Sequence, residues 1–193
     1  MEKKAYIFIG RSGCGKGTQV DLLEKLSKES GVSSLRLETG KYFRDFIIRP
    51  NITHTLSKTI YEAGGLQPEF LTVHIWSTEF VENYHGQDVL FIDGTPRKLH
   101  EAQVLNTALD FYGFTKRIVV HLDVSREWSK ERLLARGRRD DNADDIERRL
   151  NWFETDVQPA IDYYKNNPKY TYLQINGERP IDEIHADIVA RIS

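Results

Sequence analysis

The sequence has almost no cysteine: Cys14 is the single one in 193 residues. A lone thiol cannot close an intrachain disulfide or build a thiolate zinc site. The six histidines are scattered, with no HExxH or other metal-binding spacing. An excess of charge is also missing. With 27 basic and 29 acidic residues the net charge is −2, which gives no global attraction to nucleic acid or to a membrane surface. No apolar run approaches the roughly 20 residues of a membrane span. The apolar run ahead of the first glycine is too short for a signal sequence. There is no internal repeat and no low-complexity tract. These absences fit one globular domain in a reducing cytoplasm, with neither nucleic acid nor membrane as partner.

What is present is a rhythm of short apolar runs: Tyr6–Ile9, Leu35–Leu37, Val89–Ile92, Ile118–Leu122 and Tyr170–Ile175. Continuous runs of this length suit strands covered on both faces of a parallel sheet. Helical spacing fills the intervals, as in Val20, Leu23 and Leu26, and in Ile146, Leu150, Phe153 and Val157. Asn142, followed by Asp144, Asp145 and Glu147, suits the start of that last helix. Strand and helix in alternation predict a doubly wound α/β sheet. Residues 41–72 read as a helical insertion without a strand, and Gly137–Asn142 as a tight polar turn between helices.

The first strand runs into Gly10-Arg-Ser-Gly-Cys-Gly-Lys-Gly-Thr18, which opens a helix. Strand, glycine-rich loop and helix in that order are the context of a phosphate-binding loop. Glycines let backbone N–H groups converge on an anion, and the helix N-terminus adds partial positive charge. Lys16 supplies a point charge for the β- and γ-phosphates of ATP. Gly17 stands where a magnesium-binding Ser or Thr commonly follows the lysine, so Mg2+ would be held by phosphate oxygens and water. Cys14 reads as a small side chain turned away from phosphate. Val89–Ile92 ends in Asp93-Gly-Thr-Pro-Arg97, placing a carboxylate at the ligand-binding end of a strand, where it can orient magnesium's waters. Arg132, Arg136, Arg138, Arg139 and Arg149 cluster further on. Such a run reads either as a solvated, salt-bridged face or as the guanidinium set that phosphoryl transfer needs.

Together these motifs resemble the adenylate kinase family of nucleoside monophosphate kinases over nearly the whole chain. Gly10–Thr18 resembles G-x-P-G-x-G-K-G-T, with Ser12 in place of proline. Thr39-Gly-x-x-x-Arg44 resembles T-G-D-L-L-R, Gly64-Gly-Leu-Gln67-Pro68 resembles G-x-L-V-P, and Asp93–Arg97 resembles D-G-[FY]-P-R. Arg138-x-Asp140-Asp141, Arg149-Leu150 and Tyr163-Tyr164 resemble R-x-D-D…R-L…Y-Y. The resemblance implies an α/β P-loop kinase fold: a five-stranded parallel sheet flanked by helices, with a helical acceptor-binding insertion and a minimal lid. Its core would be 1–40, 73–136 and 143–193, its acceptor arm about 41–72 and its lid about 137–142.

The resemblance also implies roles. Gly13, Cys14, Gly15, Lys16, Gly17 and Thr18, with Arg132 and Arg136, would bind ATP, Arg132 stacking on the adenine. Thr39, Arg44, Gln67, Gly94, Arg97 and Glu101 would bind the nucleoside monophosphate, Arg44 and Arg97 at its phosphate. Lys16, Arg97, Arg138 and Arg149 would serve the transfer, and Asp93 would hold Mg2+ through water. A monomer is implied, and Arg138 would reach the site by a small movement of a helix end.

The acceptor is read as AMP, but Glu101 opens alternatives. The family's matching glutamine can both donate to and accept from adenine. Ionised glutamate only accepts, which suits guanine N1–H and N2–H, uracil N3–H or the cytosine amine, so GMP, UMP, CMP or a deoxynucleotide are alternative acceptors. Alternatively Glu101 points to solvent, or pairs with His100 or Lys98, and adenine specificity persists. Thr95, Gln67 and Lys41 make the pocket more polar than the family pattern. A reading of another class is a nucleotide sensor that binds without turnover; nothing in the sequence favours it, since every transfer-stage charge is present.

Overall fold

Strand β1 (Lys4–Gly10) is buried at all five interior positions, so both of its faces must be covered. In the computed structural model, which describes residues 2–137 and 142–192, it lies at the centre of a five-stranded parallel sheet. The order is β2 (Ser34–Glu38), β3 (Val89–Asp93), β1, β4 (Lys116–Asp123) and β5 (Thr171–Asn176). The chain is thus an α/β protein, and each of the five apolar runs in the sequence lies wholly or almost wholly within a strand.

Strand alternation divides the core into two layers. Ala5, Ile7 and Ile9 of β1, with Leu90 and Ile92 of β3, face one way. They pack on Trp76 and Phe80 of α4 (Glu69–Asn83), Leu105 and Leu109 of α5 (Leu99–Phe111), and Ile161 and Tyr164 of α8 (Gln158–Asn166). Tyr6 and Phe8 face the other way, with Phe91, Val120 and Leu122. They meet Val20 and Leu23 of α1 (Lys16–Glu29) and Ile184 and Ile188 of α9 (Ile181–Ile192). Burying a branched side chain of this kind stabilises by about 1.5–3 kcal/mol, so the two layers dominate the folding energy.

Strand β2 runs without a linker into α2 (Thr39–Phe46), which is followed by α3 (Ile52–Glu62). Asn51 starts α3 by accepting the His54 N–H at 2.9 Å. Residues 41–72 hold the rest of α2, α3 and the first turn of α4, and no strand. Helix α6 (Arg126–Arg136) stops at Gly137, whose φ of 62° is left-handed. Helix α7 (Ala143–Trp152) restarts at Asn142, whose side chain accepts the Asp145 N–H at 3.0 Å. Arg138, Asp140 and Asp141 of the lid motif lie outside the described residues. The apolar series Ile146, Leu150, Phe153 and Val157 is wholly buried, but not on one regular helix. Helix α7 passes through a π turn, Phe153–Val157, before α8 begins.

Candidate active site

The carboxyl ends of β1, β2 and β3 open into one cleft of about 530 Å³. Its floor is the loop after β1. Gly10 is the tight point there: a Cβ on it would stand 2.5 Å from the Leu122 carbonyl oxygen, so only glycine lets the loop leave the sheet. The Lys16 ammonium donates to the Gly10 and Arg11 carbonyls, 2.9 Å each, and lies 3.5 Å from Cys14 Sγ. Cys14 itself is buried in the core beneath the loop and does not line the cleft, whereas Gly13, Gly15, Lys16, Gly17 and Thr18 do.

The loop is fastened from behind by Arg11. Its Nε donates to the Val124 carbonyl at 3.0 Å, its Nη2 meets Glu154 at 2.6 Å, and its guanidinium lies 4.2 Å from the Phe153 ring centroid. Phe153 and Glu154 belong to the π turn, so phosphate loop and α7 are tied through one side chain. No feature of the motif announced this role for Arg11, since only the fold brings residues 11 and 154 together.

Opposite the loop stand the cations. Arg44, Arg97, Arg136 and Arg149 all line the cleft with Lys16. Arg97 is aimed by two contacts: its Nε donates to the Gly94 carbonyl at 2.9 Å, and its guanidinium lies 5.3 Å from the Trp152 ring centroid. Burial lowers its pKa, offset by Glu101 and Asp93, and Arg149 is near enough to lower it further. Arg149 Nε donates to the Asp145 carbonyl at 3.3 Å. Arg132 does not line the cleft; its guanidinium lies over Trp128, 4.5 Å from the ring centroid.

Trp152 was not singled out by any motif. Its indole lines the cleft and donates from Nε1 to the Gly64 carbonyl at 3.4 Å. Gly64 approaches α7 so closely that a Cβ would stand 2.9 Å from Asp145 Oδ1, with φ at 65°. The turn after α3, within the 41–72 segment, therefore rests on the helix that carries Arg149.

Two residues assigned to the acceptor prove to be occupied. Gln67 lines the cleft, but its amide donates to the Ser57 carbonyl and accepts from the Ser57 hydroxyl, both at 2.9 Å. Thr39 turns its hydroxyl to the Asp93 carbonyl at 3.4 Å. Glu101 requires a correction. It neither points to solvent nor pairs with the neighbouring side chains: it is 2% exposed and lines the cleft. His100 instead lies 3.4 Å from Glu69, and the Lys98 ammonium 4.0 Å from Asp156. The reason is the start of α5, where Glu101 reaches back one turn and its Oε2 accepts the Arg97 N–H at 2.7 Å. Burial raises the pKa of Glu101, opposed by that N–H and by the Arg97 charge.

Asp93 is 8% exposed and lines the cleft beside the loop, its Oδ2 being 3.6 Å from where a Cβ on Gly17 would sit. That oxygen accepts from Arg36 Nη2 at 3.0 Å. No group of three or more His, Cys, Asp or Glu side chains among the described residues is placed to hold a metal ion. No helix among them is long and apolar enough to cross a membrane.

Comparison with known proteins gives one family over most of this architecture. The family model described as adenylate kinase matches residues 8–169. An adenylate kinase of Prochlorococcus marinus (strain AS9601) is 32% identical over 191 residues, covering 99% of this chain and 100% of its own. One of Phocaeicola vulgatus is 32% identical over 190 residues, covering 96% of each chain. The adenylate kinase isoenzyme 1 of Caenorhabditis elegans is 31% identical over 192 residues, 97% of this chain and 86% of its own.

Proposed function

The chain belongs to the adenylate kinase family, and from that premise we propose that it reversibly moves the γ-phosphoryl group of ATP to AMP, giving two ADP. Family membership makes it an ATP-dependent nucleoside monophosphate kinase; AMP is our assignment, supported by relatives named adenylate kinases. The observation that carries the reading is the convergence of Lys16, Arg44, Arg97, Arg136 and Arg149 on one cleft beside a glycine-rich loop.

Phosphoryl transfer asks for positioning and charge rather than covalent chemistry by the protein. An oxygen of the acceptor phosphate forms the new bond to the γ-phosphorus as the bond from that phosphorus to the β–γ bridging oxygen breaks. Lys16 would exchange the Gly10 and Arg11 carbonyls for donor phosphate oxygens. Arg44 and Arg97 would grip the acceptor phosphate, and Arg149, with Arg138, would surround the group in flight. Magnesium, arriving with ATP, would supply further neutralising charge. Asp93, a hard oxygen donor beside the loop, fits the task of orienting its waters. We place the acceptor arm at about 41–72 and the lid at about 137–142, with closure excluding water from the reaction.

A second reading of the acceptor rests on Glu101, a buried carboxylate on the cleft wall. As a carboxylate it would accept from guanine N1–H and N2–H. Protonated, it would both donate and accept, as a glutamine does, and so serve adenine. A panel of AMP, GMP, CMP, UMP and dAMP in one coupled assay separates the two. AMP leading by about tenfold or more in kcat/KM supports the assignment; GMP leading overturns it.

A further inference from the structure

The carboxyl ends of β2 and β3 lie in register, Glu38 beside Asp93, with Arg36 two residues back on the same face. Arg36 is ringed by four carboxylates: Asp21 at 2.5 Å, Glu24 at 3.1 Å, Glu38 at 3.5 Å and Asp93 at 3.0 Å. Burial works against its charge, yet bonds to Asp21 and Asp93, with Glu38 near, hold its pKa above the ordinary guanidinium value. One nitrogen, Nη2, serves both Glu38 Oε2 and Asp93 Oδ2. The other oxygen of Glu38, Oε1, accepts from Arg44 Nη2 at 3.4 Å. The result is an unbroken chain of opposite charges, Asp93–Arg36–Glu38–Arg44. All four side chains line the cleft, and the chain ends at Asp93, proposed above for the metal's waters, and at Arg44, proposed for the acceptor phosphate.

We infer that Glu38 and Arg36 couple the two substrate sites, so that capture of the acceptor phosphate by Arg44 strengthens binding of ATP-Mg at Asp93. The inference rests on the proposed roles of Arg44 and Asp93 and adds a link between them. A phosphate on Arg44 supplies the anion that Glu38 supplies without substrate. Glu38 then turns its whole charge toward Arg36 Nη2, the nitrogen it shares with Asp93. Asp93 Oδ2 loses part of its partner, and the field at the metal side becomes more negative. Both effects favour a divalent cation there. By linkage the reverse holds equally: metal-nucleotide at Asp93 makes Arg44 more available to the acceptor. Arg36 and Asp93 are largely shielded, so solvent screens their pair only in part, whereas the Glu38–Arg44 pair is exposed and more fully screened.

Calorimetry on the full chain tests the coupling without turnover. The β,γ-imido analogue of ATP is titrated with Mg2+ or with EDTA, each in the presence and absence of saturating AMP, and again with GMP. The coupling factor is the extent to which the acceptor tightens the Mg2+ complex beyond the metal-free one. The wild-type factor is expected to be about fivefold or more. In Glu38→Gln, which removes the charge between the two arginines, it should fall to about twofold or less. Arg36→Lys, which keeps the charge but loses the fork, should lower it too. A merely structural network would shift the melting temperature in these variants and leave the factor untouched. A Glu38→Gln chain with the wild-type factor overturns the inference. Arg44→Gln separates the underlying reading: it should weaken AMP and GMP binding by about tenfold, and unchanged binding would remove the premise along with the inference.

Discussion

His121 sits on β4 at the edge of the loop, 6% exposed, with its Nδ1 2.6 Å from the Tyr172 hydroxyl. Burial lowers its pKa from 6.5 to about 4. A histidine held neutral by folding binds fewer protons than in the unfolded chain between those two values. Its contribution is therefore fully present above pH 6.5 and is lost as pH falls toward 4. At pH 5 the loss amounts to about 2 kcal/mol. Urea unfolding should show the wild type weakening between pH 7 and 5, and His121→Gln weakening markedly less over the same range. Glu101 moves the opposite way. Its raised pKa brings the neutral acid within reach as pH falls. If the acid form reads adenine, kcat/KM for AMP should climb on acidification relative to that for GMP. Glu101→Gln should raise AMP use at neutral pH and abolish the climb. An unchanged AMP:GMP ratio in this variant would show that the side chain does not read the base. Gln67, which also lines the cleft, has both ends of its amide bound to Ser57.

Among the elements, the π turn does something a regular helix would not. One extra residue per turn between α7 and α8 presents Phe153 and Glu154 together to Arg11. The phosphate loop, otherwise held at its ends by β1 and α1, thereby gains a support on the helix that bears Arg149. Arg11→Ala removes an ion pair, a carbonyl bond and a ring contact at once. We expect KM for ATP to rise several-fold in steady-state assays, with the secondary structure intact by circular dichroism. A wild-type KM would mean the loop holds its shape unaided. Helix α5 shows a second use of a terminus. Its third residue, Glu101, reaches back to the Arg97 N–H, fixing the turn from which the Arg97 side chain enters the cleft.

At the scale of the whole molecule, two cations from distant parts of the chain line a single cleft. Lys16 comes from the loop after β1 and Arg97 from the loop after β3, brought together because β1 and β3 are neighbours in the sheet. Each would hold and neutralise phosphate oxygens from substrate binding through transfer, so Lys16→Ala and Arg97→Ala should each lower kcat/KM by about a thousandfold or more. Chemical denaturation should show both variants folded. A loss of only tenfold at either position contradicts the role assigned to it.

Much of this was legible in the residues because it is local. Buried parallel strands must be apolar throughout, and a phosphate loop must combine glycines, lysine and a helix start within nine residues. The five strands, the loop, Asn142 at its helix start and the family itself could therefore be read in order along the chain. Where a side chain spends its hydrogen bonds is not local. Glu101 turned inward, Gln67 bound to Ser57, Arg132 laid over Trp128, and Trp152 seated against Gly64 all depend on which elements packing sets side by side. The same is true of Arg36, ordinary in sequence, which becomes the centre of four carboxylates only because β2 pairs with β3 and α1 lies across them. Periodicity and motif spacing determined the architecture and the kind of chemistry. Tertiary packing alone decided which charges meet, because ion pairs form between groups close in space, whatever their separation along the chain.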